Sequence, residues 1–335
     1  MYELTYTMLD TINVAMTEIY EKSLCYLVET HDDIVVLFAD LKETTKFELL
    51  SDKYAKRFLN VEIAEKNLFG IAAGLAKCYL TPYLSIFNIS ALMKALEQVR
   101  TDICYQNLNV KIIATHWGLS FGQGETTNSC MEDIAIMRSM YNMKVVVPAD
   151  NVEATKAIIE SYDMQGPVYI RINKCFDKKL YENEEYEFKI GKGIELNEGT
   201  DITIIACGSC VDQALEAAKI LEDTDQLKVR VINMHTIKPI DKEVILKAIY
   251  ETRRIITVEE HNVIGGLGSA VSEVIAESGK TCIFKALGIS EKFFANVVRE
   301  DLTAYYKIDT NGILEEVREI LRKDFEDDNN WEDEV

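Results

Sequence analysis

Residues 110–150, VKIIATHWGLSFGQGETTNSCMEDIAIMRSMYNMKVVVPAD, decide the fold. An apolar, β-branched run, VKIIATHW, leads through a glycine-bearing loop into the helix-period segment MEDIAIMRSMY, and a second apolar run, MKVVVPAD, follows. Short continuous apolar strands separated by helices indicate a parallel sheet covered on both faces. The loop SFGQGETTNS carries a GxG, but the unit around it is neither a P-loop nor a dinucleotide-binding turn, so it is not read as a phosphate cradle.

Working outward, the alternation continues in both directions. Before it stand DIVVLFAD, KNLFGIAAGLAKCY, YLSIFNI and SALMKALEQVRTDICY; after it come NVEATKAIIESY and PVYIRIN. Polar, charged residues 173–200 then read as a linker followed by a short hairpin. A second α/β series, DITIIAC, VDQALEAAKIL, KVRVINM, DKEVILKAIYE, RIITVEE, LGSAVSEVIAE and TCIFKALG, ends in an amphipathic helix, TNGILEEVREILRK, with Thr310 or Asn311 as its N-cap. The expected organisation is two α/β domains, residues 1–185 and 186–323, with an acidic, disordered tail at 324–335.

Composition narrows the function classes. The chain has 335 residues, 48% of them apolar, and 36 basic against 56 acidic side chains give a net charge of −20. Such a balance disfavours nucleic acid and anionic membrane as partners. No apolar run approaches the ~20 residues that span a bilayer, and the N-terminus lacks a signal-peptide layout, so the cytoplasm is the expected compartment. Eight scattered cysteines read as reduced thiols. Cys207 and Cys210, in CGSC, have redox spacing at a helix start, but no thioredoxin-like surroundings accompany them, and a structural reading is preferred.

In NVEIAEKNLFGIAAGLAKC, residues 60–78, Glu62 and Glu65 stand three apart and so share a helical face, ahead of small residues that let another backbone come close. A carboxyl group desolvated there would have a raised pKa. In isolation the pair also reads as two solvated glutamates at a helix start.

The motifs NVEIAEKNLFGIAAGLA, THWGLSFGQGETTNSCMEDIAIMRSMYNMKVVVPAD, GPVYIRINK, VINMHTIKPIDKEVI and ITVEEHNVIGGLGSAVSEVIAE resemble, in sequence and order, the pyrimidine-binding and C-terminal domains of the transketolase family. The likeness runs from about residue 5 to about 322. It implies a thiamine diphosphate and Mg²⁺ dependent transferase that passes a two-carbon ketol unit, or a related acyl unit, to a sugar. The glutamate of the IAEKN motif, here Glu65, would bond the aminopyrimidine N1′ and promote loss of the C2 proton; Glu62 and Asn67 flank it. No GDG motif, which the family uses with an asparagine to hold diphosphate and metal, occurs in the chain. The resemblance therefore implies no metal ligand here, a separate N-terminal partner subunit that holds the diphosphate and metal, and a homodimer core within an α2β2 assembly.

The spelling departs from the family at the site. Phe87 keeps one ring of the aromatic wall against the aminopyrimidine, but the second position is Ser90. His116 is retained as a group able to move a proton; the family's sugar-reading aspartate and histidine become Gly124 and Asn128, and Glu125 and Ser129 are also changed. Arg171 matches an arginine that grips the sugar phosphate, with an internal ion pair as its alternative role; other phosphate contacts fall on Leu9 and Thr44. His261, before a glycine-rich turn, is a candidate substrate contact, whereas His235 reads as a packing histidine and His31 as a surface one. These changes imply a specialised sugar. Two other readings remain open: a 2-oxo acid decarboxylating subunit of the same two-domain plan, and a degenerate subunit that only stabilises or regulates its partner.

Overall fold

A computed structural model describes residues 16–39, 54–87, 93–115, 119, 130–172, 180, 186–290 and 299–323. The acidic tail at 324–335 lies outside the described residues, as do Leu9 and Thr44. Two sheets organise the chain. The first has the order β10-β5-β6-β4-β3-β1-β2 and the second β12-β11-β8-β9-β7.

In the first sheet, β1 (Ile34–Phe38), β2 (Phe58–Asn60), β3 (Thr81–Phe87), β4 (Lys111–Thr115), β5 (Lys144–Val146) and β6 (Val168–Ile172) run parallel. Strands β1, β4 and β6 are buried at every residue, because helices cover both faces. On one face α1 (Met16–Thr30) and α4 (Asn151–Asp163) pack Leu24, Leu27 and Val28 with Ala154, Ala157 and Ile158. On the other, α2 (Glu65–Lys77) buries Leu68, Phe69 and Ala72, and α3 (Asp133–Ser139) buries Ile134 and Met137. Asp150 caps α4 by accepting the Glu153 N–H at 2.8 Å.

The second sheet is built from β7 (Ile194–Asn197), β8 (Ile202–Ala206), β9 (Val229–Asn233), β11 (Arg254–Asn262) and β12 (Ile283–Ile289). Its helices are α5 (Cys210–Asp225), α6 (Lys242–Glu251), α7 (Leu267–Ser278), α8 (Arg299–Tyr305) and α9 (Thr310–Leu321). One hydrophobic cluster runs from Leu68 and Ile134 of the first unit to Ile205, Ile232 and Leu267 of the second, so the two share a continuous apolar seam.

The two α/β units follow the alternation of the sequence, and four details do not. Within 173–200, where a linker and short hairpin are expected, the described residues form one strand, β7, which pairs antiparallel with β9. HTIKPID contains an unexpected strand, β10 (Thr236–Lys238), which leaves its own unit and closes the edge of the first sheet against β5. The helix expected over 90–105 is π-helical over Gln98–Cys104, where the Tyr105 N–H donates to the Arg100 carbonyl at 2.9 Å. The N-cap of α9 is Asp309, whose carboxylate accepts the Gly312 N–H at 2.9 Å, in place of the expected Thr310 or Asn311.

Candidate active site

The parallel strands of the first sheet all end on one edge. From β1 the chain leaves outward to β2, and from β3 it leaves in the opposite direction to β4, so the carboxyl ends of β1 and β3 flank a topological switch point. Ligands of open α/β sheets bind in such a crevice. Glu65 opens α2 shortly after β2, Phe87 is the last residue of β3, and His116 immediately follows β4. The His116 position, with Ser90, Gly124, Glu125, Asn128 and Ser129, lies outside the described residues.

The approach to Glu65 is a tight turn. Glu62 adopts φ of 54°, a left-handed conformation seldom used by residues other than glycine and often found at functional sites. Asn60 Oδ1 accepts the Glu62 N–H at 3.0 Å, and the Ala64 N–H donates to the Glu62 carbonyl at 2.7 Å. Ala64 supplies no side-chain cap, so the head of α2 is left to other groups. Glu65 Oε1 accepts a bond from Lys94 Nζ at 2.8 Å. That bond holds the Glu65 carboxyl below its ordinary range and outweighs the opposing effect of burial. Within the single chain this corrects the expectation of a raised value: the side chain keeps 16% of its exposure and has a cation beside it.

Arg171, the penultimate residue of β6, is 1% exposed. Its Nε lies 2.7 Å from Asp133 Oδ2, and Nη1 donates to the Glu260 carbonyl at 3.1 Å. Tyr169 also donates its hydroxyl to Asp133 Oδ2 at 2.7 Å. The internal ion pair is therefore what the described residues display for Arg171 in place of the expected phosphate grip.

His261 is likewise fully buried. The Asn262 carbonyl, 2.6 Å from Nδ1, can only accept, so Nδ1 carries the proton; the Ala135 N–H, 3.3 Å from Nε2, can only donate. The ring is thus neutral, and burial pushes its pKa down to about 4. Both nitrogens are engaged, which gives His261 a bridging role between β11 and α3 rather than the expected contact with substrate. Next to it, Glu259 accepts the Leu267 and Gly268 N–H groups, each at 2.7 Å, and caps α7; burial pushes its carboxyl up to about 7. A Cβ at Gly266 would come within 2.0 Å of Glu259 Oε2, which explains why the chain is glycine there.

Cys207 and Cys210 are 2% and 3% exposed, and burial raises the Cys207 thiol, so they are not a reactive pair at a helix head. The sequence does not single out Lys94, Asp133, Glu259 or Glu260. The acidic doublet that ends the buried strand RIITVEE is the available signal for the last two. Among the described residues, no three His, Cys, Asp or Glu side chains are grouped to hold a metal ion. No described helix is long and apolar enough to cross a membrane.

A parallel sheet with a switch point between β1 and β3, followed by a second α/β unit, defines the class as a two-domain α/β protein. Residues 13–175 match the transketolase pyrimidine-binding domain and residues 191–313 the transketolase C-terminal domain. The chain belongs to the transketolase family. It is 38% identical to a putative transketolase C-terminal section from Methanocaldococcus jannaschii, over 91% of this chain and 96% of that one. It is 33% identical to an apulose-4-phosphate transketolase subunit from Phocaeicola vulgatus, over 92% and 98%. Its fold matches a solved split-gene transketolase, described as an inactive β4 tetramer, with a TM-score of 0.82 and 37% identity over 92% and 98% of the two chains.

Proposed function

We propose that this chain is the C-terminal subunit of a two-chain, thiamine diphosphate and Mg²⁺ dependent transketolase that transfers a two-carbon ketol unit to an unusual sugar acceptor. The observation that carries the reading is the place of Glu65: a carboxylate at the head of α2, reached through the turn at Glu62 from β2, the neighbour of β1 at the switch point. A carboxylate there fits the aminopyrimidine end of the cofactor, and the sequence carries no GDG motif for its diphosphate and metal. Those groups fall to a separate N-terminal subunit. When bound, the cofactor supplies the carbanion chemistry.

This chain's own residues have positioning and proton-handling roles. Glu65 holds a proton at the ring nitrogen N1′. Phe87 packs the ring with help from Ser90, and His116 moves a proton at the substrate. Asn128 and Gly124 line the sugar. The replaced family residues and a relative named for apulose 4-phosphate both support a specialised substrate. That a solved relative is inactive as a β4 tetramer supports self-association of this kind of subunit and activity only with its partner. The seven free cysteines among the described residues support a reducing, cytoplasmic setting.

The test is to co-purify the chain with its N-terminal subunit and assay ketol transfer from ketose phosphates with and without thiamine diphosphate. Cofactor-dependent transfer that disappears in Glu65→Gln supports the proposal. Pyruvate consumption with CO₂ release would replace it with the decarboxylating reading. Binding of no cofactor by the assembled complex would leave a purely structural subunit.

A further inference from the structure

We propose that Lys94 is a positioning residue for Glu65: in the free chain its ammonium latches the carboxylate, and its release frees Glu65 to share a proton with a ring nitrogen of the cofactor. The inference rests on the proposed function for the identity of that ligand, though not for the pairing itself.

The two residues belong to different helical segments. Glu65 opens α2, whose N-cap Ala64 supplies no side-chain bond. Lys94 stands shortly before the π-helical Gln98–Cys104, a geometry frequent at functional sites. Its backbone is held by its neighbours, because Ala95, Val99 and Ile103 are fully buried in one apolar cluster with Leu68, Phe69 and Ala72 of α2. The Lys94 side chain itself is 56% exposed, and Nζ reaches across to Glu65 Oε1 at 2.8 Å.

The choice of partner is selective. Glu97 is three residues on from Lys94, a spacing that suits an ion pair within one helix, yet it accepts from Arg100 Nη1 at 3.5 Å. Glu62 accepts from Asn60 Nδ2 at 3.5 Å. Lys94 thus passes over the acid nearer in the chain and takes the carboxylate at the head of α2.

Opposed effects act on that carboxylate. The Lys94 hydrogen bond favours the charged form, and burial favours the protonated one. With the ammonium in place the first wins, and Glu65 is a poor holder of a proton. With the ammonium withdrawn, burial meets only the smaller pull of Glu65's own N–H, and the same carboxyl holds a proton more readily. Withdrawal costs little, because a pair with one partner more than half exposed is screened by water and the lysine stem is flexible. One side chain therefore gives Glu65 two states, and the latched state is the one the free chain displays.

The experiment titrates the full chain, labelled with carbon-13 at the glutamate carboxyls, by NMR, with Glu65→Gln identifying the Glu65 signal. In the wild type the Glu65 midpoint should lie below the ordinary glutamate range. It should rise in Lys94→Met and return in Lys94→Arg, which can make the same bond. A second arm titrates thiamine diphosphate with Mg²⁺ into the complex with the N-terminal subunit, by calorimetry. Lys94→Met should bind the cofactor about two- to fivefold more tightly than the wild type, the scale of an exposed ion pair, and Lys94→Arg should bind it like the wild type. An unmoved Glu65 midpoint in Lys94→Met overturns the latch, and so does cofactor binding that Lys94→Met weakens or leaves unchanged. A wild-type complex that binds no thiamine diphosphate would instead count against the proposed function, and the titration of the free chain would still judge the pairing.

Discussion

Arg171 and Asp133 form an ion pair, Nε to Oδ2 at 2.7 Å, with side-chain exposures of 1% and 0%. The pair ties the end of β6 to the head of α3, where a carboxylate also suits the helix dipole. Charges taken this far from water must stay together, because the one left behind cannot be resolvated.

Arg171→Met should accordingly lower folding stability by about 3–5 kcal/mol, as should Asp133→Leu, while the double apolar replacement should cost less than the sum of the two. Urea unfolding of the three variants checks this. Unaltered stability in Arg171→Met, with a raised KM for sugar phosphate in the assembled complex, would return Arg171 to the phosphate-gripping role.

Glu65→Gln should leave the fold intact, since its partner Lys94 is more than half exposed and such a pair contributes little, below about 1 kcal/mol. Ketol transfer by the assembled complex should nevertheless fall by about 10²–10⁴-fold, the usual worth of a positioned proton-transfer group. Steady-state rates and thermal unfolding, measured on the same preparation, separate the two effects.

Gly70 and Gly74 lie in the middle of α2 with no atom within 4 Å of where a Cβ would sit. Glycine there costs the isolated helix about 0.5–1 kcal/mol relative to alanine, and it leaves room for a second backbone beside the helix. Gly74→Ala should stabilise the free chain by roughly that amount, and Gly74→Leu should block association. Sedimentation velocity showing Gly74→Leu assembled like the wild type would remove α2 from the interface.

The buried imidazoles predict acid sensitivity. Burial pushes His235 down to about 3 and His261 down to about 4. A depressed imidazole stays neutral in the fold while its unfolded counterpart takes up a proton below about pH 6.5, so stability falls as pH drops from there towards the folded values, by up to about 1.4 kcal/mol per pH unit for each group. Glu259 acts in the opposite sense. With its folded value raised to about 7, its contribution is fully present below about pH 4.3 and is lost as pH rises through 7. Two imidazoles against one carboxyl leave a net loss towards acid, which chemical unfolding at pH 7.5, 6 and 5 should display and which His235→Asn should make shallower.

Strands such as IVVLF, KIIAT and ITIIA were readable from the sequence because burial on both faces demands continuous apolar runs, and their alternation with helix-period segments required a parallel sheet. The place of Glu65 in the first turn of a helix was readable because the pattern is local, an acid followed by small residues; its part in binding a cofactor came only from the family likeness. The order of motifs carried the family likeness for the same reason, since each motif is a short stretch with its own spacing. Tertiary structure decided what depends on distant partners. Thr236–Lys238 is too short and polar to announce a strand and becomes one only against β5 of the other unit. Lys94, 29 residues from Glu65 along the chain, lowers the pKa of that carboxyl through a hydrogen bond that only the fold brings about. Arg171 and His261 were read as substrate contacts from their places in the family pattern, and only the tertiary structure shows them buried among Asp133, Glu260 and Ala135. A side chain's chemistry is written in its sequence, whereas its solvation and its neighbours are settled only when strands far apart in the chain pack together.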